Sequence, residues 1–170
     1  QPGYINLLDA LNAWQLVQEL DEVLGLPAAA SFKHVSPVGA SVSVPLNDIL
    51  KEVYDCKDLE LSQLATAYIR ARGADPLSSF GDFISLSRKV DVNTAELIRK
   101  MGSDGIIAPG FDDDALKLLK EKKGGKYLIL LADKEFRAPE TEFREVYGVG
   151  FSQLRNTVKI NEKSLLTEVV

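Results

Sequence analysis

Histidine and cysteine are almost missing from this chain, which has one of each, His34 and Cys56, in 170 residues. A lone cysteine cannot form an intramolecular disulfide, so a reducing compartment is expected. One histidine and one cysteine also cannot build a His/Cys/Cys zinc centre of the deaminase kind, so no zinc is expected. A basic excess is lacking too: 20 Lys and Arg against 25 Asp and Glu leave a net charge of -5. Polynucleotide binding draws its affinity from phosphate neutralisation, so no nucleic-acid partner is expected. The lysines between Lys117 and Lys126 read instead as the solvated face of an amphipathic helix. A small anionic nucleotide needs only a few local donors and stays open. No apolar run approaches the roughly 20 residues that span a bilayer. Gln1-Pro2-Gly3 opens no signal peptide. No membrane partner and a cytosolic location are therefore expected. Neither a P-loop nor a dinucleotide fingerprint is present. The initiating Met is missing as well, as in a piece of a longer protein.

What is there is an ordinary globular composition, 45% hydrophobic and 26% charged, of a length that suits one domain with a real core. Apolar residues at Leu8, Leu11, Ala13, Val17, Leu20 and Leu24 predict a helix from Asn6, its N-cap, to Leu24, with Gly25 ending it. Ala28 to Val35 predicts a strand that turns polar at Lys33-His34 and closes at Ser36-Pro37. A short helix is expected within Val44 to Lys57, and a clearer one over Leu61 to Arg72 with Gly73 beyond it. Phe80 to Ser87 alternates as a strand does. Asn93 is expected to cap a helix ending at Gly102, and Gly105 to Pro109 to form a buried strand. Asp112 to Lys122 predicts a helix with acid at its start and base at its end. Gly124-Gly125 breaks it before the apolar strand Tyr127 to Leu131. Phe143 to Asn156 fits an extended or hairpin segment. Apolar strands alternating with helices predict an α/β fold, a three-layer α/β/α sandwich with a mainly parallel sheet. No linker is long enough to split the chain.

In such sheets ligands bind where the C-terminal ends of the strands meet their loops. Candidate groups are Lys33-His34, Ser78 to Asp82, and Ser103-Asp104-Gly105. His34 carries the one side chain whose ordinary pKa, about 6.5, lies near neutrality, so it could act as a general base. Lys33 could stabilise an oxyanion. Adjacent strand residues point to opposite faces, so both reach one site only if the backbone turns there. Composition and spacing do not decide between that reading and a structural or merely exposed pair. Asp82 and Asp104 could equally cap backbone amides, and Gly81 could admit a ligand or relieve strain. Arg70 and Arg72 could bind a phosphate, but positive charge at a helix C-terminus needs no ligand to explain it.

Ser31-Phe32-Lys33-His34-Val35-Ser36-Pro37 resembles the Lys-His signature of the bifunctional purine-biosynthesis family. That family combines aminoimidazole carboxamide ribonucleotide (AICAR) transformylase with IMP cyclohydrolase. Four further blocks resemble it in the same order. They are Ile5-Asn6-Leu7 through Asp9 to Trp14, Arg70 to Asp75 continuing to Ser78 through Phe83, Ser103 to Gly110, and Lys122 to Tyr127. The likeness covers nearly the whole chain. It implies that residues 1–170 are the first of two cytidine-deaminase-like subdomains of the transformylase domain. The cyclohydrolase domain would lie before it and the second subdomain after it. It implies transfer of a formyl group from 10-formyltetrahydrofolate, the co-substrate, to the 5-amino group of AICAR. It further implies His34 as proton acceptor, Lys33 as transition-state stabiliser, and His34, Gly81 and Asp104 as nucleotide contacts. The implied partners are AICAR, folate, the rest of the enzyme and a second subunit in a homodimer. The alternative is a non-catalytic nucleotide-binding or dimer-forming fragment; a zinc deaminase on a similar fold is a third reading.

Overall fold

The computed structural model describes residues 1–158, and the chain divides into two compact units at Lys134/Glu135, a division that no linker composition announces. In the first unit, α1 (Tyr4–Leu24) leads into β1 (Ala28–Lys33) and β2 (Ser36–Val42). Next come α2 (Asp48–Val53), α3 (Gln63–Gly73), β3 (Asp82–Leu86) and α4 (Val92–Lys100). β4 (Ser103–Ala108), α5 (Asp113–Glu121) and β5 (Leu128–Leu131) complete the unit. The five strands form one sheet in the order β2-β1-β3-β4-β5.

Strand alternation divides the apolar side chains between two cores. Ala28, Ala30, Phe32, Phe83 and Ile107 face α1, meeting Ala10, Ala13, Trp14 and Val17. Ala29, Ile84, Ile106 and Ala108 face the other way, with Leu64, Tyr68, Ile98 and Leu119 from α3, α4 and α5. Helices thus cover both faces, as an α/β chain with strands apolar throughout requires. Each large apolar side chain buried this way contributes about 1.5–3 kcal/mol.

The sheet is mixed, not mainly parallel. β3-β4 and β4-β5 are parallel, whereas β1 runs antiparallel to both β2 and β3. The reversal comes from β2, which the sequence reading missed. Ser36-Pro37 does not close the segment; the chain turns back at once, and Pro37 sits in the edge strand, where proline is tolerated. β2 and β3 then run in the same direction with β1 between them, joined through α2 and α3. Gly39 makes the close approach of α3 to β2 possible: a Cβ there would lie 2.1 Å from the carbonyl oxygen of Ala71.

Helix starts fall a few residues earlier than their asparagines indicated. α1 begins after Gly3, whose N–H donates to the Asn6 side chain across 3.1 Å. α4 is capped by Asp91, which accepts from Thr94 N at 2.7 Å. Asn93 instead bridges to the start of α3, accepting from Ser62 N at 2.9 Å and donating to Glu60 O at 2.7 Å. The chain leaves α4 at Met101 in extended conformation, and Gly102 has no left-handed φ. The inward face of α1 is Asp9, Ala10, Ala13, Trp14 and Val17; Leu11 and Leu24, assigned to it from periodicity, are 55% and 52% exposed.

The second unit contains the antiparallel hairpin of β6 (Thr141–Val146) and β7 (Val149–Leu154), in line with the hairpin expectation. It turns at Tyr147-Gly148, both at positive φ, as two-residue hairpin turns favour. Among the described residues no helix is long and apolar enough to cross a membrane.

Candidate active site

Lys33 and His34 lie at the tip of the β1–β2 hairpin. Its two turn residues, His34 and Val35, have φ of 55° and 62°. Consecutive left-handed residues make the tight turn that matches strand twist, yet the residues suited to it are Asn and Gly. A β-branched residue there is a steric outlier. Such a backbone costs on the order of 1–3 kcal/mol per residue and persists only where its surroundings enforce it. Two contacts do so here. Val35 N–H donates to Asp9 Oδ1 at 2.6 Å, and Lys33 Nζ donates to the Phe80 carbonyl oxygen at 2.8 Å. The pairing shifts between Ser31 and Phe32, which face Gly39 and Pro37, so that Val38 of β2 is the extra residue just after the turn. The His34 side chain is exposed and Lys33 half-buried. The turn that adjacent strand residues need in order to serve one site is therefore present.

Because β1 is antiparallel to β3, its end lies beside the start of β3. Phe32 pairs with Phe83 and Asp82 with Ser103. Lys33-His34, Gly81 and Asp104 accordingly collect at one end of the sheet, where the parallel strands β3 and β4 begin. Of the three candidate groups only Lys33-His34 lies at the C-terminal end of a strand, β1, which is antiparallel to both its neighbours; the other two lie at the N-terminal ends of β3 and β4, a correction to the expected placement. Gly81 has φ of +78° with open space where a Cβ would stand, so glycine is required there by backbone conformation and not by crowding. Its N–H donates to Gly102 O at 2.9 Å, linking the approaches to β3 and β4.

Beneath this end lies a buried polar cluster. Asp82, fully buried, accepts from Arg72 Nη1 at 2.9 Å and from Ser31 Oγ at 2.6 Å. Ser31 Oγ also lies 3.0 Å from Ser79 Oγ, and Arg72 Nη2 donates to Gly102 O at 3.1 Å. Burial pushes the Asp82 carboxyl up, against the opposing pull of Ser31 and Arg72. Ser103 and Tyr127 share a hydrogen bond of 3.0 Å, and burial raises the Tyr127 phenol well above its ordinary range. Lys122 donates to Met101 O; burial, then the neighbouring Lys123, lowers its ammonium. Asp82 and Arg72 are thus occupied with each other. Arg70 reaches Ser41 Oγ at 3.2 Å, tying α3 to β2.

Asp104 is the more accessible acid. Its side chain is 46% exposed and ion-paired with Lys123. A cavity of about 620 Å³ opens beside it, lined among others by Asn6, Lys123, Lys126 and Tyr127. Lys33, His34 and Gly81 do not line that cavity. Sequence reasoning missed Asp9 and the Phe80 carbonyl. A main-chain oxygen leaves no sequence signal, but Asp9 does: with Ala13 and Val17 it forms a four-residue repeat along the buried stripe of α1, where a carboxylate needs a reason. Among the described residues no group of three or more His, Cys, Asp or Glu could hold a metal.

The first unit is thus an α/β sheet that displays a Lys-His pair on a strained hairpin, at the sheet end where Gly81 leads into β3. The chain belongs to the AICARFT/IMPCHase bienzyme family, whose pattern matches residues 1–170. It is similar to the bifunctional purine biosynthesis protein PurH of Limosilactobacillus reuteri, 35% identical over 157 residues, covering 92% of this chain and 26% of that protein. The PurH of Lactobacillus acidophilus is 35% identical over 159 residues, covering 94% and 27%. That of a Thermoanaerobacter species is 31% identical over 163 residues, covering 96% and 27%. The chain thus spans about a quarter of the length of these relatives. These relatives are named for purine biosynthesis.

Proposed function

We propose that residues 1–170 are the first subdomain of an AICAR transformylase domain, contributing to formyl transfer from 10-formyltetrahydrofolate to the 5-amino group of AICAR. The observation that carries this reading is the exposed His34 and half-buried Lys33 on one enforced turn, at the sheet end that also holds Gly81 and Asp104. The mixed five-strand sheet is compatible with a cytidine-deaminase-like subdomain. In this proposal the cyclohydrolase activity, the second transformylase subdomain, much of the folate site and a second subunit belong to the rest of a cytosolic homodimeric enzyme.

The chemistry sets demands these residues can meet. The amine of AICAR is a poor nucleophile because its lone pair is delocalised into the ring and carboxamide. As it attacks the formyl carbon, a C–N bond forms and the carbonyl electrons move to oxygen. His34 accepts the proton the amine loses. Lys33 has three donors, of which Phe80 O takes one, leaving two for the developing oxyanion. The tetrahydrofolate nitrogen then leaves with a proton as the C–N bond to it breaks. Gly81 and Asp104 would hold the nucleotide, the latter beside the cations of Lys123 and Lys126.

The test uses the full-length protein. His34→Ala is expected to lower formyl-transfer turnover by about 10²–10⁴-fold; near-normal turnover refutes the role. Lys33→Ala should lower kcat more than it raises the nucleotide KM, as for a charge acting in the transition state. A change in KM alone counts against it. A second reading, a nucleotide-binding or dimer-forming fragment without turnover of its own, is favoured by the fraction of its relatives the chain spans. Calorimetry with AICAR and an activity assay on the isolated 170-residue chain separate the two, since turnover without the remainder would eliminate the fragment reading.

A further inference from the structure

We propose that Asp9 is a positioning residue for formyl transfer: its carboxylate holds the Val35 amide, and through it the left-handed His34-Val35 turn that presents the histidine. The inference rests on the functional reading given above and extends it to a residue on another element. Asp9 lies in the interior of α1, only 5% exposed, on the same helix face as Ala10, Ala13, Trp14 and Val17. A carboxylate placed against that apolar face carries a desolvation cost that a small apolar residue would avoid. What it obtains there is one short contact, Oδ1 to Val35 N at 2.6 Å, across 26 residues of chain.

The recipient of that contact is where help is needed. His34 and Val35 both occupy the left-handed region, and Val35 is β-branched, so the turn would relax toward ordinary φ values if left alone. An alternative turn of that kind would splay the strands and redirect the His34 side chain. Lys33 is anchored independently through Phe80 O. Loss of Asp9 would therefore misplace the base relative to the cation rather than remove either. Misplacement by about 1 Å is enough to cost about 10²-fold in rate. A neutral amide oxygen at the same position should hold the turn about half as well, because a charge-assisted bond is roughly twice as strong as a neutral one.

The experiment compares Asp9→Asn, Asp9→Ala and His34→Ala in the full-length protein. It reads steady-state formyl transfer and hydrogen exchange of the Val35 amide. Asp9→Ala is expected to lower kcat by about 30–100-fold while the nucleotide KM stays within about threefold, with Val35 exchange accelerated. Asp9→Asn should fall between wild type and Asp9→Ala in both readouts. Unchanged kcat or unchanged Val35 exchange in Asp9→Ala overturns the proposal, as does an Asp9→Asn variant no better than Asp9→Ala. Should Asp9→Ala fail to fold, Asp9→Asn decides alone: wild-type values in both readouts overturn the proposal, and partial loss in both supports it. Wild-type turnover in His34→Ala would sink the functional reading, and the Val35 exchange rates would still report whether Asp9 holds the turn.

Discussion

Removing one partner of a buried ion pair is a different experiment from removing one at the surface. Arg72 and Asp82 have side chains 8% and 0% exposed. Asp82→Ala would leave a guanidinium without its anion under the site and take the carboxylate acceptor from the Ser31 hydroxyl. The expected loss is about 3–5 kcal/mol, read from urea denaturation of the 170-residue chain. The Lys57–Glu52 pair, with side chains 60% and 73% exposed, is the contrast: Glu52→Ala should leave the midpoint where it was. Gly81→Ala belongs to a third class. Open space receives the methyl, but φ of +78° does not suit it, so a loss of about 1–2 kcal/mol is expected from conformation alone. An unshifted denaturation midpoint would show that the backbone there relaxes freely.

Between elements, the most informative tie joins the end of α1 to the end of β3. Asp21 accepts from Arg88 Nε and Nη2, each at 2.9 Å, and from Ser87 Oγ at 2.6 Å. The Arg88 guanidinium holds the Asp21 carboxyl below its ordinary range, outweighing burial. The unfolded chain therefore takes up this proton first as pH falls. The advantage of wild type over Asp21→Asn should be complete above about pH 4, the ordinary aspartate value. It should shrink below that and vanish once the folded carboxyl is protonated too. Denaturation midpoints of the two proteins between neutral pH and pH 2 test this, and a gap that widens on acidification contradicts it.

The same scale explains what could be read in advance. α1, α3, α5 and the strand cores announced themselves by apolar period and length, and the Lys-His block, through its resemblance, pointed to the candidate site. β2 did not, because Ser36-Pro37 is an ordinary stop signal and His-Val is not a turn dipeptide; the contacts that hold the turn come from Asp9, 26 residues from Val35, and from the Phe80 carbonyl. The expectation of a mainly parallel sheet followed from that omission. Asn93 misled because it serves as a bridge between helices, a role that spacing along one helix does not reveal.

For the whole molecule, the division at Lys134 makes a prediction. The first unit holds both apolar cores, so residues 1–134 should fold alone and unfold in one cooperative step, with an m-value of about 1–3 kcal/mol/M in urea. A non-cooperative transition, or dye-binding molten character, would show that the core needs the remainder.

The two-residue link between β1 and β2 has one more consequence. Because side chains alternate faces along a strand, a single residue inserted beside His34 and accommodated by sliding β2 would turn that strand's inward set outward. Lengthening this loop is therefore not a tolerated route to altered specificity. Diversity among homologous chains, or grafted by an engineer, should enter through the approaches to β3 and β4 instead, leaving the hairpin tip constant in length.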